Sequence, residues 1–416
     1  MSKIIVENVV LVYVELPDSH IEQDLYELEE LISTAQGKIV LTCNQKRRSI
    51  DAKTVVGSGK LDEIRSAIEL LDKKVDVVIF SCNLNSTQRF TLKKSLNCDV
   101  IDKFDLILDI FALRATSAEG KKQVELAQLS YNLATKEESD FSRQGAGIGT
   151  RGPGETKIET NKRIARERIF RLKQELREIE KHRDLTRKSR HDNGMFTVAL
   201  VGYTNAGKST LFNRLTGADI YADDKLFATL DTTVRKLNID KGIDDILLCD
   251  TVGFINDLPH TLLEAFKSTL EEARIADLLI DVCDVSDPNV ANHIMVTEQV
   301  LAELNTYAPI IRVYNKADKL TGCEQLSFVT EDSSAIFVSA ANNKNIDILL
   351  DKIRDFVLLE YASVHLKFTH SEASSVLSRL NKYAAGCSVE YFDGYAIATA
   401  TILKRYVGMF VEYLQL

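Results

Sequence analysis

The sequence predicts an α/β protein whose central domain is a doubly wound, mostly parallel sheet with a phosphate-binding loop. Three observations support this fold class. Strand and helix patterns alternate through the first part of the 416-residue chain, a glycine-rich loop at 202–209 stands between an apolar strand and a helical pattern, and further polar loops each follow an apolar run. A small α/β subdomain and an antiparallel helical hairpin precede the central domain, and a short α+β domain follows it.

Four domains are expected, with boundaries at 1–113, 114–194, 195–360 and 361–416. The first should contain, in order, strand Val9–Val14, helix His20–Ala35, strand Lys38–Cys43, helix Lys60–Leu71, strand Val75–Phe80 and helix Ser86–Leu96. The turn Gly57–Lys60 is shorter than a phosphate loop and lacks its Ser or Thr, so we interpret it as a helix entry.

Composition indicates an ordinary globular protein, with 45% hydrophobic and 27% charged residues. No apolar run reaches the roughly 18 residues of a membrane helix, and the N-terminus lacks a small-residue cleavage site. Seven cysteines are scattered without a C-x-x-C pair, which favours reduced thiols over zinc ligands or disulfides. We therefore expect a cytoplasmic protein.

Residues 114–194 have the pattern of two amphipathic helices. Apolar positions recur at three- and four-residue intervals, at Val124, Ala127, Tyr131 and Ala134 and again at Ala165, Ile169, Leu172, Leu176 and Ile179. The matching stripes predict antiparallel packing in which each helix covers the other's stripe. The second helix is strongly basic, with 14 Lys/Arg against 7 Asp/Glu from 151 to 190 in a chain of net charge −9. Such an arm suits a polyanion, although a solvated coiled coil would explain it equally well.

The connection between the two helices favours the polyanion. The segment Arg143–Glu155 holds five glycines, one proline and two arginines in thirteen residues, far more than a hairpin needs in order to turn. Its exposed amides and guanidinium groups suit close approach to an RNA backbone. The RNA-binding candidates are Arg143, Gly145, Gly147, Gly149, Arg151, Gly152, Gly154, Arg163, Arg166 and Arg171.

The segment Gly202–Ser209 carries the clearest chemistry. It lies between the apolar strand Val198–Val201 and a helical pattern that opens at Ser209. Glycines let backbone N–H groups converge on phosphates, Lys208 can reach the β- and γ-phosphoryl oxygens, and the Ser209 hydroxyl can ligate Mg²⁺.

Three loops after later strands complete a nucleotide site. Asp250–Gly253 follows one strand, so Asp250 can hold Mg²⁺ through water and the Gly253 amide can face the γ-phosphate. In Asn315–Asp318, the Asp318 carboxylate can accept two hydrogen bonds from guanine that adenine cannot donate. Asn315 would tie this loop to the phosphate loop, Lys316 would lie along the base, and the Ala340 amide in Ser339–Ala341 would reach the guanine O6. These motifs, in this order, resemble the translation-factor class of GTPases.

A switch threonine should close on Mg²⁺ and the γ-phosphate from the segment Phe227–Thr233. GTPases of the Obg type carry a Phe-x-Thr-Leu run, which points to Thr229, with Thr233 as the alternative. The predicted catalytic groups are Lys208, Thr229 and Gly253. The predicted nucleotide contacts are Gly202, Tyr203, Thr204, Asn205, Ala206, Gly207, Lys208, Ser209, Thr210, Phe227, Ala228, Thr229, Leu230, Asp231, Asp250, Thr251, Val252, Gly253, Asn315, Lys316, Ala317, Asp318, Ser339, Ala340 and Ala341.

The glycine-rich tip, the basic helix after it and the Phe-Ala-Thr-Leu-Asp run at 227–231 resemble the HflX family of ribosome-associated GTPases over essentially the whole chain. The resemblance implies GTP-dependent binding to the large (50S) ribosomal subunit, with the hairpin tip near the peptidyl-transferase region. It also implies dissociation of stalled or idle ribosomes under stress. Thr232 stands where the family commonly has proline.

Phe254 follows the Asp250–Gly253 motif where Ras-like enzymes place a water-orienting Gln, so we expect slow intrinsic hydrolysis that a partner raises. Asn205 either coordinates K⁺, as in some related GTPases, or merely braces the loop. The expected ligands are GTP, GDP, Mg²⁺ and, conditionally, K⁺, with the 50S subunit and its rRNA as partner of a monomer. Two rival readings are a GTPase that docks a protein partner through the hairpin without RNA, and a non-enzymatic RNA-binding protein.

The last domain should contain strands at His365–Phe368 and Tyr395–Ile402 and a helix at Ser371–Ala384. These elements are sufficient for a small α+β domain. The residues predict no function for it.

Overall fold

The structure is a computed structural model that describes residues 7–17, 21–143, 153–192, 195–218, 225–239, 243–256, 262, 266–320 and 335–415. The chain divides into two units. Unit 1 comprises Met1–Ile179, Lys225–Asp231 and Asp257–Lys267, and unit 2 comprises Glu180–Asp224, Thr232–Asn256 and Ser268–Leu416. Two short segments from the middle of the chain therefore belong to the N-terminal unit.

Unit 1 begins with alternating strands and helices. They are β1 (Asn8–Glu15), α1 (Ile21–Thr34), β2 (Lys38–Lys46), α2 (Ser58–Glu69), β3 (Val77–Phe80), α3 (Ser86–Leu96), β4 (Asp99–Asp102) and α4 (Lys103–Arg114). The four strands form a parallel sheet in the order β2-β1-β3-β4. The central strand β1 is apolar and buried along nearly its whole length, as expected for a parallel strand covered on both faces.

Two long helices follow, α5 (Ala118–Arg143) and α6 (Pro153–Asp192). Helix α6 begins at Pro153, a residue suited to the first turn of a helix because its missing N–H would have no partner there. Ion pairs show that the two helices run antiparallel, since Arg168 pairs with Glu125 at 2.7 Å and Glu175 pairs with Lys122 at 2.9 Å.

The predicted seam between these helices is partly wrong. Tyr131 contacts α4, with its ring 4.1 Å from that of Phe104 and its hydroxyl donating to the buried carboxylate of Asp102. At the end of the predicted stripe, Ala134 is exposed. The stripe of α5 therefore serves the N-terminal α/β layer, because a buried tyrosine needs a partner for its hydroxyl and Asp102 supplies one.

Unit 2 contains the predicted doubly wound sheet. Its elements are β5 (Phe196–Val201), α7 (Lys208–Thr216), β6 (Thr233–Ile239), β7 (Ile243–Asp250), α8 (Lys267–Ile275), β8 (Leu278–Asp284), α9 (Val290–Glu303), β9 (Ile310–Asn315), β10 (Ile336–Phe337) and α10 (Ile346–Leu359). The strand order is β10-β9-β8-β5-β7-β6, parallel except for β6, which pairs antiparallel with β7. The loops that follow β5, β7, β9 and β10 therefore share one edge of the sheet, where ligands of such folds bind.

The C-terminal part of unit 2 is a three-stranded antiparallel sheet with one helix packed on it. Its elements are β11 (Tyr361–Thr369), α11 (Ala373–Tyr383), β12 (Ala384–Tyr391), β13 (Tyr395–Leu403) and α12 (Lys404–Val407), with the sheet order β11-β13-β12. The predicted α+β class is confirmed, and strand β12 was not predicted. Across the described part of the chain, no helix has the length and apolar composition needed to cross a membrane.

Candidate nucleotide-binding site

The phosphate loop joins β5 to α7 and depends on two glycines with positive φ. Gly202 has φ +136°, and a Cβ placed there would lie 2.3 Å from the carbonyl oxygen of Val282 on β8. Gly207 has φ +89°, and its Cβ would lie 2.3 Å from Nδ2 of Asn315. The loop therefore needs glycine at both positions for its backbone conformation and for the closeness of the neighbouring strands.

Lys208 is held in a fixed position under this loop. Its Nζ donates to the carbonyl oxygens of Gly202 at 3.0 Å and Tyr203 at 2.7 Å. Burial lowers the pKa of Lys208 from 10.5 to about 8. An ammonium group with so little solvent around it is well placed to bind phosphoryl oxygens, since few waters must be displaced.

Ser209 and Asp250 form the predicted metal-binding pair. The Ser209 hydroxyl donates to Oδ2 of Asp250 at 2.8 Å, and both residues are buried. Two adjacent oxygen ligands suit Mg²⁺, which also takes water and nucleotide oxygens. Among the described residues no group of three His, Cys, Asp or Glu could hold a metal by itself, so the remaining ligands would have to come from hydroxyl groups, nucleotide and solvent. Mg²⁺ bound there would neutralise charge on the phosphates.

The Asp250–Gly253 loop lies directly against the phosphate loop. Thr204 N donates to the carbonyl of Phe254 at 2.8 Å, and Phe254 N donates to the carbonyl of Gly202 at 3.1 Å. A Cβ on Gly253 would lie 2.8 Å from Thr204 Cα and 2.9 Å from Lys208 Nζ, so only glycine fits between them. Phe254 itself is 1% exposed. Val252 and Thr251 are buried as well, and the Thr251 hydroxyl donates to the carbonyl of Leu200, so the nucleotide contacts predicted for these two residues stay predictions.

At the base-recognition end, Asn315 joins two loops as predicted. Its Nδ2 donates to the carbonyl of Ala206 at 2.9 Å, and its Oδ1 accepts from the amide of Ala340 at 3.0 Å. The Ala340 amide thus already donates to Asn315. Its hydrogen bond to guanine O6 stays a prediction, and the amide would have to donate to both acceptors at once. Asp318 is exposed, and a hydrogen bond from Ser339 lowers its pKa, which keeps the carboxylate ionised to accept from a base.

Several residues that sequence reasoning missed support these loops. Arg214, near the end of α7, donates to the carbonyls of Ala340 at 2.9 Å and Ala341 at 2.9 Å, which connects the phosphate-binding helix to the Ser339–Ala341 loop. His293 on α9 stacks on the ring of Tyr203 with centroids 3.8 Å apart. Arg214 could have been suspected as a basic residue in the last turn of a helix. No sequence signal points to His293.

The predicted switch segment Phe227–Thr233 is divided between the two units: residues 227–231 belong to unit 1, whereas Thr232 and Thr233 belong to unit 2, which carries the phosphate loop. Phe227 and Leu230 are buried, while Ala228 and Thr229 are half-buried. Asp231 was predicted to contact nucleotide, but in the structure its carboxylate accepts hydrogen bonds from the turn that precedes α5. A nucleotide contact by this side chain therefore stays a prediction. The choice between Thr229 and Thr233 as Mg²⁺ ligand stays a prediction.

The predicted RNA-binding tip falls mostly outside the described residues, which omit Gly145, Gly147, Gly149, Arg151 and Gly152. Arg143 ends α5 and Gly154 lies in the first turn of α6. Further along α6, Arg163, Arg166 and Arg171 are exposed. These three residues place positive charge on the solvent side of the helix.

Comparison with known proteins covers almost the whole chain. Profiles described as the N-terminal region and middle region of a GTP-binding GTPase match residues 22–112 and 114–190. A profile described as a 50S ribosome-binding GTPase matches residues 197–316. The matched segments thus include the N-terminal sheet, the hairpin and most of the nucleotide-binding loops.

Relatives are similar along most of their length. GTPase HflX of Caldanaerobacter subterraneus is 46% identical over 84% of this chain and 81% of its own. GTPase HflX of Escherichia coli is 41% identical over 88% of this chain and 86% of its own. A crystal structure of SsGBP in complex with GDP is similar over 84% of this chain and 98% of its own, at 27% identity and a TM-score of 0.50. By these matches along most of its length, this chain is a GTPase that belongs to the HflX family.

Proposed function

We propose that this protein binds the 50S ribosomal subunit and its rRNA in its GTP-bound state and dissociates stalled or idle ribosomes under stress. The observation that carries the proposal is the segregation of charge. The segment 151–190 holds 14 Lys/Arg against 7 Asp/Glu, while the whole chain has a net charge of −9. A basic arm on an acidic body is attracted to RNA by that arm alone. The family membership and the ribosome-binding profile support this choice of polyanion.

The hairpin is suited to present this charge. Acidic side chains of α5 and α6 pair with basic side chains of the other helix, as in Arg168 with Glu125. Arg163, Arg171 and Arg177 are exposed on α6. Because phosphate contacts position a protein on RNA, this face would orient the hairpin while the glycine-rich tip makes the close contacts.

GTP hydrolysis should be slow in the free protein and faster on the ribosome. Phe254 occupies the position of a water-orienting side chain, is buried, and is fixed through its backbone to Gly202 and Thr204. A phenyl ring cannot hydrogen-bond an attacking water, so a partner must order that water or supply a group. Asn205, with φ +60°, is the candidate for K⁺ coordination, and exchange of K⁺ for Na⁺ should then slow hydrolysis.

Sedimentation with purified 50S subunits tests the proposal. Wild-type protein should pellet with subunits in a GTP analogue but not in GDP, and the binding should weaken steeply as salt rises. The double variant Arg163→Ala/Arg171→Ala should bind at least about tenfold more weakly. Lys73→Ala/Lys94→Ala removes equal charge from exposed lysines of the N-terminal unit and serves as the matched control. Equal binding by the two double variants would refute the role of the hairpin.

A second assay separates ribosome splitting from binding alone. Light scattering of 70S ribosomes should fall when GTP-loaded protein is added, and should not fall with the Arg163→Ala/Arg171→Ala variant. The rival function, docking of a protein partner, is favoured by one observation: Phe170 on α6 is 61% exposed. Under that function Phe170→Ala would abolish partner binding and the arginine variants would not. We also propose that the protein acts as a cytoplasmic monomer, which sedimentation velocity can test.

A further inference from the structure

The switch segment and the hairpin meet at one carboxylate. Asp231 accepts hydrogen bonds from Thr116 Oγ1 at 2.8 Å, from Thr116 N at 3.3 Å, from Ser117 N at 2.9 Å and from the Ser117 hydroxyl. Ser117 is the N-cap of α5, since its Oγ accepts from Gly120 N at 2.8 Å. Asp231 thus extends the cap of the first hairpin helix, at the end where helix amides favour an anion.

Gly120 is adapted to this contact. A Cβ at Gly120 would lie 2.7 Å from Oδ1 of Asp231, closer than real Cβ atoms approach other atoms. Glycine in the first turns of a helix has no advantage of its own over alanine. Space for the Asp231 carboxylate explains its presence here. Burial raises the pKa of Asp231, but the hydrogen bonds from Ser117 and Thr116 outweigh it and leave the pKa below its usual range, so the carboxylate is ionised.

Buried contacts fix the rest of the segment to the same unit. The Phe227 ring meets Phe111 of α4 edge-on, 4.6 Å between centroids, and Phe111 also meets Phe266, at 4.8 Å. Leu226 N donates to the hydroxyl of Thr34 at the end of α1, at 3.3 Å. Phe227 and Phe266 come from the two mid-chain segments of unit 1, Lys225–Asp231 and Asp257–Lys267. Both segments therefore pack on the same residue, Phe111.

We propose that Asp231 is a positioning residue that ties the switch threonine Thr229 to the first turn of α5, so that exchange of GDP for GTP changes the hairpin through this cap. Thr229 is only two residues from Asp231, so a change in the position of Thr229 between the GDP and GTP states would be transmitted to the cap through two peptide bonds. The inference rests on the proposed nucleotide-dependent function. It adds a physical route from nucleotide to hairpin.

Hydrogen–deuterium exchange in the free, full-length protein tests the tether without ribosomes. The amides of Gly120 and Lys121 bond to Ser117, so their exchange reports the cap directly. In the wild type, protection of this turn should differ at least about fivefold between GTP analogue and GDP. Gly120→Ala should abolish the difference. Gly59→Ala, in the first turn of α2 where a Cβ meets nothing within 4 Å, should preserve it.

A double-mutant cycle distinguishes the tether from a general defect. If collision with Asp231 is the cause, Gly120→Ala should have no further effect on the nucleotide response in an Asp231→Ala background. Should Gly120→Ala fail to fold, Asp231→Asn alone decides by the same exchange measurement. An unchanged difference in Gly120→Ala, or no nucleotide difference in the wild type, overturns the inference. Loss of GTP-dependent 50S binding with the exchange response intact would instead refute only the proposed function.

Discussion

Two turns in this molecule have similar sequences, and only one is built to bind phosphate. Gly57-Ser58-Gly59-Lys60 leads into α2, and Ala206-Gly207-Lys208-Ser209 leads into α7. Gly57 has an ordinary φ of −66°, and a Cβ on Gly59 would meet nothing within 4 Å. At the second turn Gly207 has φ +89° and no room for a Cβ.

The two lysines differ in the same way. Lys60 forms an ion pair with Glu63 in the next turn of its own helix, at 2.7 Å. Lys208 is buried and donates to two backbone carbonyls of the loop that precedes it. A Gly-Lys pair therefore becomes a phosphate site only where the surrounding strands force the glycine conformation and remove water from the lysine. Each of the following experiments changes one turn and uses the other as its control.

The largest effect is expected at the lysines. Lys208→Ala removes the cation that faces the phosphates, and kcat for GTP hydrolysis should fall about 10³-fold. Lys60→Ala removes only an ion pair with an exposed carboxylate, and both kcat and GTP affinity should stay at the wild-type level. Single-turnover hydrolysis and fluorescent-nucleotide binding measure both. Equal losses in the two variants would mean that the N-terminal turn also serves the nucleotide.

The next effect concerns the glycines. Gly202→Ala would place a Cβ 2.3 Å from a backbone carbonyl, in a conformation that alanine rarely adopts, and should destabilise the protein by about 3 kcal/mol. Gly59→Ala should stabilise it by about 0.5–1 kcal/mol because alanine is the better helix former. Thermal unfolding of the nucleotide-free proteins measures the stability of the two variants relative to wild type. A Gly202→Ala variant with wild-type stability would show that strand β8 can move away from the new Cβ at little cost in free energy.

The contrast between the two turns was predictable, whereas several contacts between distant elements were not. The strand–loop–helix pattern, Lys208, Ser209 and the bond from Asn315 all follow from local sequence, because the motif and the backbone geometry specify each other. The partners of Tyr131 and Asp231 were missed because they lie in other elements, and periodicity does not say which elements pack together.

Missed strands have a simpler explanation. Strand β4 is four residues long with an Asp at each end, and β12 contains Ala, Gly, Cys and Ser on an exposed edge of its sheet. Strand β4 contains Val and Ile but is too short to show an alternating pattern, and β12 lacks the β-branched content that identifies a strand in sequence. Their place in the fold comes from pairing with the stronger neighbours β3 and β13.

A moderate effect is expected at the side chains that brace each turn. Asn315→Ala leaves the Ala206 carbonyl and the Ala340 amide without their partner in a buried place, so GTP affinity should fall about ten- to hundredfold. Gln45 accepts from Gly57 N at 3.0 Å and is only half-buried. Gln45→Ala should leave GTP affinity unchanged. Isothermal titration calorimetry with GTP measures both affinities. A loss of GTP affinity in Gln45→Ala similar to that in Asn315→Ala would contradict the distinction between the turns.

The smallest effect is a pH dependence specific to the buried lysine. Burial lowers the pKa of Lys208 from 10.5 to about 8. Between these values the unfolded chain holds a proton that the folded chain has released, so this lysine makes the free energy of unfolding rise with pH, by up to about 1 kcal/mol per pH unit. Below pH 8 the folded protein must bury the charge.

Lys208→Met removes the titrating group and keeps the length of the side chain. The stability gap between this variant and nucleotide-free wild type should narrow as pH rises from 8 toward 10, whereas Lys60→Met should track the wild type throughout. Saturating GTP with Mg²⁺ should abolish the trend, because phosphate oxygens stabilise the ammonium form. Melting temperatures measured at several pH values give the three curves. If the Lys208→Met and wild-type curves ran parallel, the ammonium group would have to be solvated, and the difference between the two turns would come from their glycines alone.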